Sequence, residues 1–239
     1  MAAIALSAVC LTSCNDDFMQ RDPHTEITQK NFFNTEQDLR LYCYGLVNTP
    51  AYSYIDDVGT DDQATTDNVT IKNIMTSANP TSTTIDAGWD WKRLYDINYF
   101  LDNCQKADVS DDVMAHWVGV ARYYRAEFYM TMVKKYSDVP WCDHTLATND
   151  DALYGKRDSR ETVMQHVMDD YQYAADNVKA DQPKGAIDRW IVLASMARTA
   201  LYEGTYRKYH SELNLQASAD ALIKKAADAA SEIMQSGRY

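Results

Sequence analysis

The sequence predicts an all-α protein of stacked helical hairpins, and three observations carry that prediction. Apolar residues recur at steps of three and four through most of residues 88–235, the spacing that puts side chains on one face of a helix. Pro140 and Pro183 fall between these periodic runs, where helices must stop. Several runs are preceded by a residue suited to capping a helix N-terminus: Thr35, Ser110 and Ser159.

Thr35 followed by Asp38 matches a capping box, and Leu39, Tyr42, Cys43 and Leu46 then share a face, giving a first helix over about 36–48. From Pro50 to about residue 88 the periodicity vanishes in a stretch rich in Thr, Asn and Asp. This reads as one long irregular loop, and loops of such length in compact domains commonly carry function. Trp91, Leu94, Tyr95, Asn98 and Leu101 define a second helix over about 88–106. The third is the clearest: after Ser110, the residues Trp117, Ala121, Tyr124, Phe128, Met132 and Tyr136 step by three or four up to the turn before Pro140. Ser159 caps a fourth helix with the stripe Val163, Val167, Tyr171, Ala174 and Val178, ending ahead of Pro183. The fifth carries Trp190, Ala194, Ala197 and Leu201, whose two alanines would allow close approach of a neighbour. A sixth runs through Ala219, Leu222, Ala226, Ala230 and Ile233 and stops at Gly237, a natural C′ residue. Trp117, Tyr124, Phe128, Trp190, Ala194 and Leu201 are the expected core. Helices joined by short turns suggest antiparallel hairpins in a solenoid-like array, but no strict 34-residue period is present, so any repeat is degenerate.

Composition excludes several functions. Lys and Arg number 23 against 35 Asp and Glu, a net charge of −12, which repels nucleic acid and disfavours an anionic membrane surface. Seventeen Tyr lead an aromatic content of 11%, a bias that suits wet cores and also sugar-facing surfaces. Residues 2–13 are uncharged and mostly apolar, too short to span a bilayer, and read as the apolar part of a signal peptide. Residues 1–13 are therefore expected to be removed, leaving 14–239 as one helical domain. Leu11-Thr12-Ser13-Cys14 resembles a bacterial lipobox, which makes Cys14 the acylated first residue, and Asn15-Asp16-Asp17 resembles the surface-export signal of Bacteroidetes lipoproteins. No basic residue precedes the apolar run. Cys43, Cys104 and Cys142 are odd in number without CxxC spacing, so they imply neither a disulfide framework nor a zinc site and are expected to act as small hydrophobes.

Signatures of common chemistry are missing: there is no HExxH, GxSxG, GxxxxGK[ST] or GxGxxG. No catalytic residue, metal or cofactor is expected. His166 and His210 read as surface or hydrogen-bonded histidines. Cys142-Asp143-His144 could offer a metal pair or a thiol beside a base, though its spacing is unspecific. The acidic pairs Asp56-Asp57, Asp61-Asp62 and Asp150-Asp151 could be glycosidase carboxylates or calcium ligands, with solvated loop charge as the plainer account. Arg122 and Arg125, three apart, could clamp a carboxylate, with ion pairing to Glu127 or to acids on adjacent helices as the default.

On the third helix, Trp117-x-x-x-Ala121-Arg122-Tyr123-Tyr124-Arg125-Ala126-Glu127-Phe128-Tyr129 followed by Val133-Lys134-Lys135-Tyr136-Ser137-Asp138-Val139-Pro140-Trp141 resembles the RAxxY…FGDVP signature of the SusD/RagB family of outer-membrane nutrient-binding lipoproteins. Other segments agree in order along nearly the whole chain: Asn15-Asp16-Asp17-Phe18 with Asn31-Phe32-Phe33 and Thr35-Glu36; Ile97-Asn98-Tyr99-Phe100-Leu101-Asp102-Asn103; Tyr154-Gly155-Lys156-Arg157-Asp158-Ser159-Arg160; Leu201-Tyr202-Glu203-Gly204-Thr205-Tyr206-Arg207-Lys208-Tyr209-His210; and Ser236-Gly237-Arg238-Tyr239. Ser137 departs from the family's glycine, which matters if the turn needs positive φ. Family members also run longer, so the chain is expected to be a fragment that lacks their C-terminal half.

The resemblance implies degenerate tetratricopeptide-like pairs and a non-enzymatic role, in which a surface lipoprotein of the outer membrane captures oligosaccharide as a lid on a SusC-like TonB-dependent transporter. Rings would stack on sugar faces while Asn, Asp and Arg bond hydroxyls. A helical protein–protein adaptor and a glycoside hydrolase remain alternatives. Within the chain, the loop over about 52–91 is the expected place for ligand contacts. Trp89, just outside the stripe of the second helix, is the candidate stacking platform, with Asp67, Asn68 and Asn79 as hydroxyl partners; the plainer account has Trp89 closing the helix start and the polar residues making turns.

Overall fold

A computed structural model describes residues 32–47 and 89–238. Six helices form the described part: α1 (Glu36–Gly45), α2 (Lys92–Asn103), α3 (Asp111–Tyr136), α4 (Arg160–Asn177), α5 (Arg189–Tyr209) and α6 (Ala219–Gln235). Strand structure among these residues amounts to one antiparallel bridge between Val139 and Asp158. The fold is all-α. From α2 onward each helix packs on the next, and α1 lies against α3. Cys14, Asp67, Asn68, Asn79, the pairs Asp56-Asp57 and Asp61-Asp62, and most of the expected 52–91 loop fall outside the described residues.

Local chemistry starts α1, α3 and α4 where expected. The Thr35 hydroxyl accepts the Asp38 N–H at 3.3 Å while the Asp38 carboxylate accepts the Thr35 N–H at 2.9 Å, closing the capping box of α1. Ser110 and Ser159 hold the N-cap positions of α3 and α4, and Asp188 caps α5 through the Ile191 N–H at 2.9 Å. An aromatic cluster of Phe33, Tyr42, Tyr99 and Phe100 ties α1 to α2, and the Tyr42 hydroxyl donates to the Asp96 carbonyl at 3.0 Å. Gly237, past the end of α6, has φ 64°, the left-handed geometry that glycine supplies without strain.

Long α3 is the spine. Trp117, Tyr124 and Phe128 are buried in it as expected, and all five stripe residues of α4 lie in the core opposite. At the crossing, a Cβ on Gly119 would stand 2.9 Å from a Val178 methyl, so glycine lets α3 and α4 close up. Cys43 and Cys104 are buried, in keeping with service as small hydrophobes.

Two expected faces are corrected. On α2, Tyr95 is half exposed and Leu101 only partly covered, while Ile97, Phe100 and Asn103 are buried; the helix also runs Lys92–Asn103 with a 3-10 turn at Cys104–Lys106 in place of 88–106. On α5, Leu201 is 50% exposed and Ala194 is exposed, so these two are not core, while Trp190 is partly buried against it. The buried side is Val192, Leu193, Met196, Thr199, Ala200, Glu203, Gly204 and Arg207. Apolar spacing misplaced this face because two charged residues lie inside it. Glu203 accepts Arg160 Nη2 at 2.7 Å and Arg207 Nε at 2.8 Å, and Arg207 Nη1 donates to the Ser218 hydroxyl at 2.7 Å. A paired and hydrogen-bonded charge can sit where a lone one could not. Close helix approach comes at Gly204, where a Cβ would meet Ile223 at 2.8 Å and the Ala219 carbonyl at 3.0 Å.

Candidate ligand groove

Where α2 meets the connection that leaves α3, a groove of about 460 Å³ opens, lined by Trp89, Trp91, Leu94, Tyr95, Asn98, Pro140, Cys142, His144, Leu146, Ala152, Leu153, Gly155 and Arg157. Its shape follows from the end of α3. The helix stops at Ser137, which takes φ 62° and ψ −86°, so the turn does require positive φ and imposes it on a residue with a Cβ. The chain then returns past the ends of α2 and α3 and is fastened by polar groups that those helices supply.

Asn98 Nδ2 donates to the carbonyls of Cys142 and His144, both at 3.0 Å. The Tyr129 hydroxyl accepts the Cys142 N–H at 2.6 Å, and Asp158 accepts the Trp141 N–H at 2.7 Å. Asp102 takes the N–H and hydroxyl of Thr145 at 2.8 and 2.7 Å. Arg125 donates to the Asp143 carbonyl at 3.2 Å and is itself fixed by two bonds, 2.7 and 2.9 Å, to Asp170 of α4. Arg122 joins it on Asp170 at 2.6 Å, so the arginine pair makes ion pairs with an acid on the adjacent helix, the default reading of its spacing. Burial pushes the Tyr129 phenol well up, keeping it a neutral hydrogen-bonding group.

The exposed chemistry is sparse. Asp143 and His144 form a solvent-facing pair at 2.8 Å; that hydrogen bond lowers the Asp143 carboxyl and raises the His144 imidazole. Burial raises the Cys142 thiol, the opposite of what an activated nucleophile needs. Among the described residues no group of three His, Cys, Asp or Glu is placed to hold a metal ion. Asp150 caps the 3-10 helix Asp151–Tyr154 through the Ala152 N–H at 2.9 Å. His166 stacks on Trp141 at 4.6 Å and His210 on Tyr206 at 4.1 Å.

Trp89 is 45% exposed at the groove edge, its ring meeting Trp91 at 5.0 Å and Tyr136 at 4.7 Å in edge-to-face contacts. The Arg157 guanidinium lies 5.0 Å from its centroid. Sequence reasoning singled out Trp89, weighed His144 only as a metal ligand or base, and missed Tyr95, Leu153 and Arg157. Tyr95 was absorbed into an apolar stripe, and the others lie on connections whose path no periodicity describes.

A helical scaffold of tetratricopeptide-like pairs with an aromatic groove at the end of its longest helix is thus the class of molecule. The fold is that of SusD-like proteins. The chain superimposes on a SusD-like carbohydrate-binding protein from Bacteroides fragilis with a TM-score of 0.65 at 19% identity, covering 86% of this chain and 41% of that one. For a SusD-like carbohydrate-binding protein from Bacteroides vulgatus the values are 0.61 and 18%, over 86% and 46%. In sequence it is 22% identical over 219 residues to a curated SusD-like protein from Formosa agariphila, covering 82% of this chain and 41% of the relative. No family model matches. The motif resemblance is therefore borne out in sequence and in fold, and the chain spans about 41% of the length of the curated relative it matches.

Proposed function

We propose that this chain is the N-terminal helical part of a surface lipoprotein that binds oligosaccharide and passes it to a SusC-like TonB-dependent transporter, without catalysis. The observation that carries the reading is the groove: exposed aromatic rings beside a connection held rigid by Asn98, Tyr129, Asp102 and Asp158, on a fold shared with proteins described as carbohydrate-binding. Rings fixed in advance can stack on sugar faces without a further ordering cost. In this reading residues 1–13 are a signal peptide and Cys14 carries the lipid, with more than one acyl chain because a single one anchors only marginally. Trp89 is the stacking platform, and Asp67, Asn68 and Asn79 are partners for sugar hydroxyls.

A glycan microarray followed by calorimetric titration of the strongest ligand tests this. Trp89→Ala should weaken binding several-fold, since an aromatic contact is worth about 1 kcal/mol. Equal affinities would remove Trp89 from the site. Binding to no glycan would favour a protein–protein adaptor, and release of reducing sugar would mark a hydrolase.

A further inference from the structure

We infer that the groove selects glycans bearing an anionic group, a uronic carboxylate or a sulfate ester, and that Arg157 receives it; this rests on the glycan-binding reading above. Several other arginines among the described residues face acids. Arg122 and Arg125 pair with Asp170, Arg160 and Arg207 with Glu203, Arg189 with Glu232, and Arg238 with Asp181. Arg157 is exposed, lines the groove and has no carboxylate partner among the described residues. Its one described contact is with the Trp89 ring, 5.0 Å away. That contact lays a guanidinium over the ring of the proposed sugar platform, where its N–H fork, with no acid partner among the described residues, can make a two-pronged bond to a carboxylate or sulfate.

Several acids of the flanking segments are hydrogen-bonded. Asp158 holds the Trp141 N–H, Asp102 holds Thr145, Asp143 holds His144, and Asp150 caps the following turn. None is a described lining residue, so the described lining carries the basic side chains Arg157 and His144 and no carboxylate. An oligosaccharide with a ring to stack and an acidic substituent at its rim matches this pairing. The net charge of −12 opposes a dense polyanion at long range, which favours isolated acidic groups on a short chain.

A microarray of matched pairs across several backbones tests the inference: uronic acid oligosaccharides with their carboxyl-reduced forms, and sulfated ones with their desulfated forms. Binding should favour the acidic member of at least one pair, and which kind of pair responds separates carboxylate from sulfate. Arg157→Ala should weaken the acidic ligand by about tenfold or more and change the neutral form by less than twofold, with an unaltered circular dichroism spectrum. Arg157→Lys, which keeps the charge and loses the fork, should recover part of the loss. Preference for neutral members, or acidic binding indifferent to Arg157→Ala, overturns the inference and leaves the glycan-binding reading standing. No binding to any glycan overturns both.

Discussion

The two rims of the groove, Val139–Leu146 and Asp151–Gly155, face one cavity but are held by different amounts of structure. On the first, side chains from α2, α3 and the segment before α4 hold the backbone at Trp141, Cys142, Asp143, His144 and Thr145. On the second, Asp150 supplies one cap, and Leu153 and Tyr154 stand 49% and 85% exposed. The motif residues Asn98, Arg125 and Asp158 all serve the first rim. The difference teaches that the motifs of this chain mostly position backbone, leaving one side of the groove fixed and the other free to adapt.

Breaking the anchor of the fixed rim should have the largest effect. Asp170→Ala would strand Arg125 and Arg122 beside a buried void, and a stability loss of about 3–5 kcal/mol is expected in urea denaturation. A loss below about 1 kcal/mol would show that the arginines find other partners and that the rim does not depend on them. Tyr129→Phe removes only the hydroxyl that receives the Cys142 N–H, so about 1–3 kcal/mol should be lost, together with faster hydrogen exchange at Cys142. An unchanged exchange rate there would contradict the fastening described above.

Ser137→Gly tests the turn from which the fixed rim starts. Relief of a positive-φ residue should stabilise the protein by about 1 kcal/mol in the same assay, net of the extra freedom glycine gains on unfolding. Destabilisation would mean that the Ser137 side chain repays its strain. The smallest effect is expected for Asp150→Ala: about 0.5 kcal/mol or less globally, because the helix it caps is four residues long and exposed. Exchange at residues 151–155 should nevertheless rise. A global loss comparable to that of Tyr129→Phe would erase the contrast between the rims.

The helix spine was legible because its physics is local and periodic. Thr35 with Asp38, Ser159, the stripe from Val163 to Val178 and the stop at Gly237 all appear as expected, since caps and apolar spacing act within a few residues. Even the concern about Ser137 could be stated in advance, and its φ of 62° bears it out. The α5 face was not legible, because Glu203 and Arg207 are buried only by virtue of Arg160, 43 residues before Glu203 in the chain. The role of Asn98 was hidden for the same reason: its partners lie 44 and 46 residues away.

Sequence by itself determined the all-α class, the order and capping of the helices, the acidic balance and the resemblance to SusD-like proteins. Each of these depends on spacing, composition or contiguous motifs. Only the tertiary structure decided which polar residues are buried, how the Val139–Leu146 connection is fastened, and that Trp89, Tyr95, His144 and Arg157 share one groove. Burial of a charge and convergence of distant side chains depend on the partner that meets them. That partner is chosen by packing across many residues, where helical periodicity carries no information.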